Sequence, residues 1–212
     1  MNIENKTSRG INKAQEVEPI KSIKDILKIK QYLLGKESKR DYMLFTVGIN
    51  VGLRAGDLLS LKIYEVAEQD SKGRSLVKDT VMIKEEKTDK TRAFTLNKSA
   101  KEAIDLYLSS LLQYSMDDYL FKSRKGNEAL TVEAAHKIIK TTMRELNIKG
   151  NYGTHSLRKT FGYHTYINNV RDNPMILETL QRILNHSSQA MTLRYIGITK
   201  EVITDVYNSL NL

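Results

Sequence analysis

Apolar residues recur at intervals of three and four along most of this chain, the spacing of one buried face of an α-helix. Ser22 is placed as an N-cap, and Ile23, Ile26, Leu27, Leu33 and Leu34 follow helical spacing until Gly35 stops the run. A second helix carries Tyr42, Leu44, Phe45, Val47 and Val51 and ends at Gly52, so Arg54 starts a new turn anchored by Leu58, Leu59 and Leu61. In the middle the pattern shortens. Residues 81–84 and 92–96 read as strands joined by the polar segment 85–91, which suits an exposed hairpin loop. Residues 63–66 add a third strand, with a turn at 70–74. Helices resume at 99–114, at 131–146, after Thr154, at 174–184, around Tyr195 and at 200–210. Pro174 fits a first helical position, with Asp172 or Asn173 as its cap. This order predicts an α+β fold, mostly helical, with a small antiparallel sheet or hairpin.

Residues 1–20 are polar, mixed in charge and without hydrophobic periodicity, which predicts a flexible N-terminal tail before one domain over 21–212. A chain of 212 residues is long enough to bury a real core. It carries no internal repeat and no low-complexity tract. No stretch approaches the ~20 apolar residues of a membrane span and the N-terminus lacks the apolar core of a signal peptide, so a soluble, cytoplasmic protein is expected. Lys and Arg number 34 against 25 Asp and Glu, a net charge of +9, which favours a polyanionic partner without identifying it. The absence of cysteine excludes disulfides, thiolate chemistry and Cys-type zinc sites. Any catalysis falls to oxygen and nitrogen groups.

Tyr195 lies nine residues after His186, His155 lies three before Arg158, and Arg54 sits in the turn Gly52-Leu53-Arg54-Ala55-Gly56-Asp57. Each has a plain explanation on its own. An arginine after a glycine turn is usually a surface charge, a histidine usually satisfies a local backbone group, and one of eleven tyrosines is usually core or rim. Lys87, in the hairpin loop, is by default a solvated charge. Together they supply one nucleophile, two guanidinium groups and two imidazoles, the set that phosphodiester transfer through a tyrosyl intermediate requires. Such a transfer builds negative charge on the nonbridging oxygens, so fixed positive donors must surround the phosphorus.

The order and spacing of these residues resemble the tyrosine recombinases, the phage integrase family, over roughly residues 20–212. Gly52-Leu53-Arg54 with Asp57 is similar to the family's first arginine box. Thr154-His155-Ser156-Leu157-Arg158-Lys159-Thr160-Phe161 resembles the second, and Leu184-Asn185-His186-Ser187-Ser188 followed by Tyr195 the third. Lys87-Thr88-Asp89-Lys90 looks like the hairpin that carries the family's lysine. The resemblance implies a catalytic domain of that fold without an N-terminal core-binding domain. It also implies a site-specific recombinase that cuts and rejoins DNA through a 3′-phosphotyrosyl link.

In that reading Arg54 and Arg158 clamp the nonbridging oxygens, since guanidinium is planar, always charged and able to donate two parallel hydrogen bonds. Tyr195 attacks, His155 accepts its proton or orients the acceptor, His186 donates to a nonbridging oxygen, and Lys87 protonates the departing 5′ oxygen. Asp57 supports the first box, while Lys90, Arg92 and Lys159 are expected to contact DNA. No cofactor and no metal are implied, because arginine takes the part Mg²⁺ plays elsewhere. Two departures from the family pattern stand out: only about 20 residues precede the catalytic region, and the interval from Arg158 to His186 is long, with 168–174 as the insertion.

Double-stranded DNA is the expected partner, and no membrane is. Val202, Ile203, Val206 and Leu210 share one helical face of the last segment, which packs either on its own domain or, as the family implies, on a neighbouring protomer. Two alternatives carry the same residues: a non-cleaving DNA-binding protein of the same fold, and strand relaxation like that of a type IB topoisomerase.

Overall fold

The structure, a computed structural model, describes residues 16–85, 89–198, 207–208 and 210. Helices α1 (Ile23–Gly35) and α2 (Lys39–Val51) open the described fold, followed by the short helices α3 (Ala55–Leu59) and α4 (Ile63–Val66). Two hairpins come next: β1 (Ala67–Gln69) with β2 (Ser75–Val77), and β3 (Thr80–Lys84) with β4 (Thr91–Thr95), both antiparallel. The rest is helical: α5 (Lys98–Leu108), α6 (Val132–Glu145), α7 (Thr154–Asn169), α8 (Ile176–Ile183) and α9 (Gln189–Ile196).

The caps follow from side-chain chemistry. Ser22, Asn97, Thr131 and Ser188 each accept a hydrogen bond from a backbone N–H in the first turn of α1, α5, α6 and α9, satisfying a donor that the helix cannot. Helix α2 ends where Gly52 turns left-handed at φ 61°. Glu37, not Gly35, carries the positive φ after α1; Gly35 stays inside the helix.

Helix α2 is the axis of the molecule. Met43, Leu44, Phe45, Thr46, Val47, Gly48 and Val51 are all buried, with α5 packed on one side and α7 on the other. Gly48 allows that approach, because a Cβ there would lie 2.6 Å from Leu157 Cδ1. A smaller cluster of Leu184, Ile196 and Ile198, flanked by Phe161, Tyr163 and Tyr166, seats α9 on α7 and α8. Among the described residues no helix is long and apolar enough to cross a membrane.

The hairpin of β3 and β4 forms as its alternation predicts, with Val81 opposite Phe94 and Ile83 opposite Arg92. Residues 63–66 are not a strand. Ile63 and Val66, three apart and both buried, sit on one face of a helical turn whose first N–H, that of Lys62, is capped by Glu65 at 2.7 Å. The strand begins at Ala67, and the turn at 70–74 is closed by Asp70, whose carboxylate accepts from the Lys72 and Arg74 N–H groups.

Helix α5 ends at Leu108, well short of 114: tighter turns take over at Ser110 and Leu111, and Leu112 is fully exposed. Helix α8 starts two residues after Pro174, with the Asn173 side chain accepting from the Met175 N–H. The long interval before His186 is partly helix, since α7 runs to Asn169.

The expected tail is structured from residue 16. The Ile20 side chain is buried, and its N–H donates to Thr160 Oγ1 at 2.8 Å. Glu16 pairs with Lys159 at 2.6 Å, and Lys21 donates to the Gly197 carbonyl at the end of α9. A buried isoleucine and three long-range polar contacts hold what composition alone reads as mobile. Residues 1–15 and most of the final segment, 199–206 included, lie outside the described residues.

Candidate active site

Arg158 is the centre of the site. It projects from α7 and is 4% exposed; Nη1 donates to the Gly52 carbonyl at 2.8 Å and Nη2 to the Leu184 carbonyl at 2.7 Å. One guanidinium thus joins the turn after α2 to the end of α8. Both carbonyls belong to helix ends, where intrahelical partners are missing, so a buried cation satisfies them well. The same guanidinium lies close enough to the Tyr195 phenol to favour its ionised form.

Arg54 stands at the start of α3, two residues past Gly52, with its side chain about one quarter exposed. Nη1 donates to Glu85 Oε2 at 2.9 Å and lies 3.8 Å from Asp57 Oδ2. Arg92 reaches the other Glu85 oxygen at 3.4 Å and the Val51 carbonyl at 3.4 Å. Arg54, Arg92 and Arg158 feel one another: Arg158's pKa is lowered chiefly by burial, raised by Tyr195 and Glu85, and lowered by Arg54 and Arg92. It stays charged at neutral pH because a guanidinium starts so high.

His186 lies between α8 and α9. Its Nδ1 is 3.1 Å from the hydroxyl of the fully buried Thr192, and its ring meets the Tyr195 ring edge-on, centroids 4.8 Å apart. Its pKa is lowered by burial and by Arg158 and Arg54. His155, in the first turn of α7, is solvent-exposed; its pKa is also lowered, by crowding from the protein and by Arg158, Lys159 and His136. For an exposed ring the neighbouring cations are the stronger physical cause. Burial pushes the Tyr195 phenol above the ordinary value of 10.0 and Glu16 adds to the rise, while Arg158 and Arg54 pull it back.

The structure places Arg54, Arg158, His155, His186, Tyr195 and Asp57 near one another. Lys87 lies outside the described residues. Lys90 is exposed on the hairpin loop. Two of the expected DNA contacts are placed otherwise. Lys159 is 4% exposed, its ammonium 2.6 Å from Glu16 and 4.8 Å from the centroid of the Tyr195 ring. Arg92 is engaged with Glu85 and Val51 inside the hairpin. Helix α7 is buried on several sides, so its cations face the interior more than a stripe pattern suggests.

Glu85, Thr192 and Glu16 were not legible. Glu85 reads as one of several polar loop residues, yet its side chain is buried at the base of that loop. Among the described residues no group of three or more His, Cys, Asp or Glu side chains is placed to hold a metal ion.

Residues 19–201 match the model of the phage integrase family. A probable integrase/recombinase of Bacillus subtilis (strain 168), YoeC, is 38% identical over 191 residues, covering 90% of this chain and 95% of that protein. The crystal structure of XerA recombinase superposes with a TM-score of 0.68 at 22% identity, covering 93% of this chain and 67% of that one. XerH site-specific recombinase bound to a palindromic difH substrate gives 0.61 at 23% identity, covering 82% and 48%. The chain spans about half the length of the XerC and XerD recombinases it matches, 46% and 54%.

Proposed function

Because the chain belongs to the phage integrase family, we propose that it is a site-specific DNA recombinase whose strand cleavage is carried by Tyr195 inside the Arg54–Arg158 pocket. The observation that carries this reading is the Arg158 guanidinium, pinned by the Gly52 and Leu184 carbonyls beside the His186–Tyr195 ring pair, so that all three sequence boxes meet around one cation.

Tyr195 Oη attacks the phosphorus; the P–Oη bond forms as the bond from phosphorus to the 5′ oxygen breaks. His155, neutral at pH 7 because its pKa lies below 6.5, takes the phenolic proton. Lys87 gives a proton to the departing 5′ oxygen. Arg54 and Arg158 hold the nonbridging oxygens, each donor contributing ~2.7 to 4 kcal/mol by comparison with an oxyanion-hole donor. The Thr192 hydroxyl donates to the Ser188 carbonyl at 3.2 Å and so accepts from His186 Nδ1–H at 3.1 Å, which turns Nε2 toward the phosphate; His186 donates from Nε2 to a phosphate oxygen when the ring takes up a second proton there. The broken phosphodiester is conserved as a phosphotyrosyl ester, so a 5′ hydroxyl from a second strand reverses the step without ATP. The segment 199–212 docks on a neighbouring protomer on DNA through Val202, Ile203, Val206 and Leu210; within it Tyr207 and Leu210 are exposed.

The test is a nicked duplex bearing a recombination site. The protein should form a covalent adduct whose labelled residue maps to Tyr195, and Tyr195→Phe should abolish the adduct while leaving duplex affinity intact. Binding without adduct overturns the reading in favour of a passive DNA-binder, and adduct without strand exchange in favour of a relaxing enzyme.

A further inference from the structure

We propose that Glu85 is a positioning residue for the reaction, holding the Arg54 guanidinium at the phosphate pocket and locking the base of the β3–β4 hairpin to the turn after α2. This rests on the function proposed above.

Glu85 is the first residue past β3, and its side chain is 5% exposed. Oε2 accepts from Arg54 at 2.9 Å and Oε1 from Arg92 at 3.4 Å. Its backbone closes the loop as well: the N–H donates to the Lys90 carbonyl at 3.0 Å, and the carbonyl accepts from Asp89 at 2.9 Å. One residue therefore ties three pieces of chain together. Arg54 comes from the α2–α3 turn, Arg92 from β4, and residues 89–90 from the loop that begins two positions before Lys87.

An ion pair on an open surface would merit no such role, because solvent screens it and side-chain entropy offsets it. Glu85 is different in burial and in company. Three guanidiniums, Arg54, Arg92 and Arg158, lie within electrostatic reach of one another, and Glu85 opposes that repulsion. Asp57 helps from 3.8 Å, too long for a hydrogen bond, so among the described residues the carboxylate that Arg54 donates to at hydrogen-bond distance is that of Glu85. Removing a buried partner leaves cations uncompensated, and the partly exposed Arg54 is freer to swing away than the buried Arg158.

The experiment compares Glu85→Gln and Glu85→Asp in the full chain, reading single-turnover adduct formation on the nicked duplex, duplex affinity and the denaturant midpoint. Glu85→Gln should slow adduct formation on the order of 100-fold, the cost of misplacing a catalytic group by about 1 Å, with affinity changed only a few fold. Glu85→Asp keeps the charge and should recover part of the rate. In an Arg54→Ala background Glu85→Gln should cost no more than about twofold further, because the residue it positions is gone. Wild-type rates in Glu85→Gln, or the same loss in both backgrounds, overturn the proposal. Should Glu85→Gln fail to fold, Glu85→Asp with and without Arg54→Ala decides the same question. If the wild-type chain forms no adduct, the recombinase reading falls by itself. The anchor is then judged by denaturant midpoints: losses from Glu85→Gln and Arg54→Ala that fail to add support it, and strictly additive losses overturn it.

Discussion

Arg158 does two jobs with one fork: two of its nitrogens hold backbone carbonyls, and its charge acts on Tyr195, the nucleophile in the function proposed. Lysine keeps the charge but presents a point donor that cannot span Gly52 and Leu184 together. Arg158→Lys should therefore lower the adduct rate by at least 100-fold and also reduce stability by about 1.5 to 3 kcal/mol, measured by single-turnover cleavage and by denaturant unfolding. The two imidazoles set a pH dependence. His155 and His186 both have pKa values lowered below 6.5, so the folded chain favours their neutral forms. Their contribution to stability is complete above pH 6.5. It is lost as pH falls from 6.5 toward the folded values, because the unfolded chain takes up protons first. Cleavage should fall over the same acidic range as His155 stops accepting a proton. A rate that stays flat from pH 7 to pH 5 would contradict that role.

At the scale of elements, Tyr195 is placed by how closely α9 approaches α7. Gly162 makes the approach possible: a Cβ there would lie 2.6 Å from Cγ2 of the fully buried Ile196, the residue after Tyr195. Ile196 has no flexible end to yield, so Gly162→Ala must shift α9. The expected outcome is a loss of about 1 to 3 kcal/mol in unfolding free energy from overpacking, with adduct formation slowed more than stability alone explains. Gly52 has a similar part. Its left-handed φ of 61° and the Phe161 ring 2.4 Å from a would-be Cβ leave no room for a side chain, and its carbonyl receives Arg158. The glycines at 52 and 162 thus set where Arg158 and Tyr195 sit.

For the whole molecule, the segment from 16 to 21 ties the approach to α1 onto α7 and the end of α9. Glu16, Ile20 and Lys21 bind α7 and the end of α9, so the start of the domain braces the helix that carries Tyr195. The final segment belongs to assembly in the function proposed. A chain ending at Ile198 should bind a half-site with unchanged affinity, measured by mobility shift, yet fail to form the higher-order complex on a full site and lose most of its adduct. Full assembly by the shortened chain would remove that role from residues 199–212.

Residue type and spacing alone determined the helical majority and the β3–β4 hairpin, and singled out Arg54, Asp57, His155, Arg158, His186 and Tyr195 as the residues to look for together. Helical periodicity, glycine turns and the donor needs of a phosphate are local or chemical facts that a sequence carries. The strand expected at 63–66 was lost because two apolar residues three apart fit a helical turn as well as a short strand, and only the Lys62–Glu65 cap and its neighbours decide between them. Tertiary structure alone decided that Glu85 turns inward to Arg54, 31 positions away, and that residue 20 docks on Thr160, 140 positions away. It also decided that Lys159 lies inside, because α7 is covered by both α2 and α9 and so shows no single apolar stripe. A buried charge or a strapped terminus depends on partners distant in the chain, and no local pattern of residues announces which partner folding will bring.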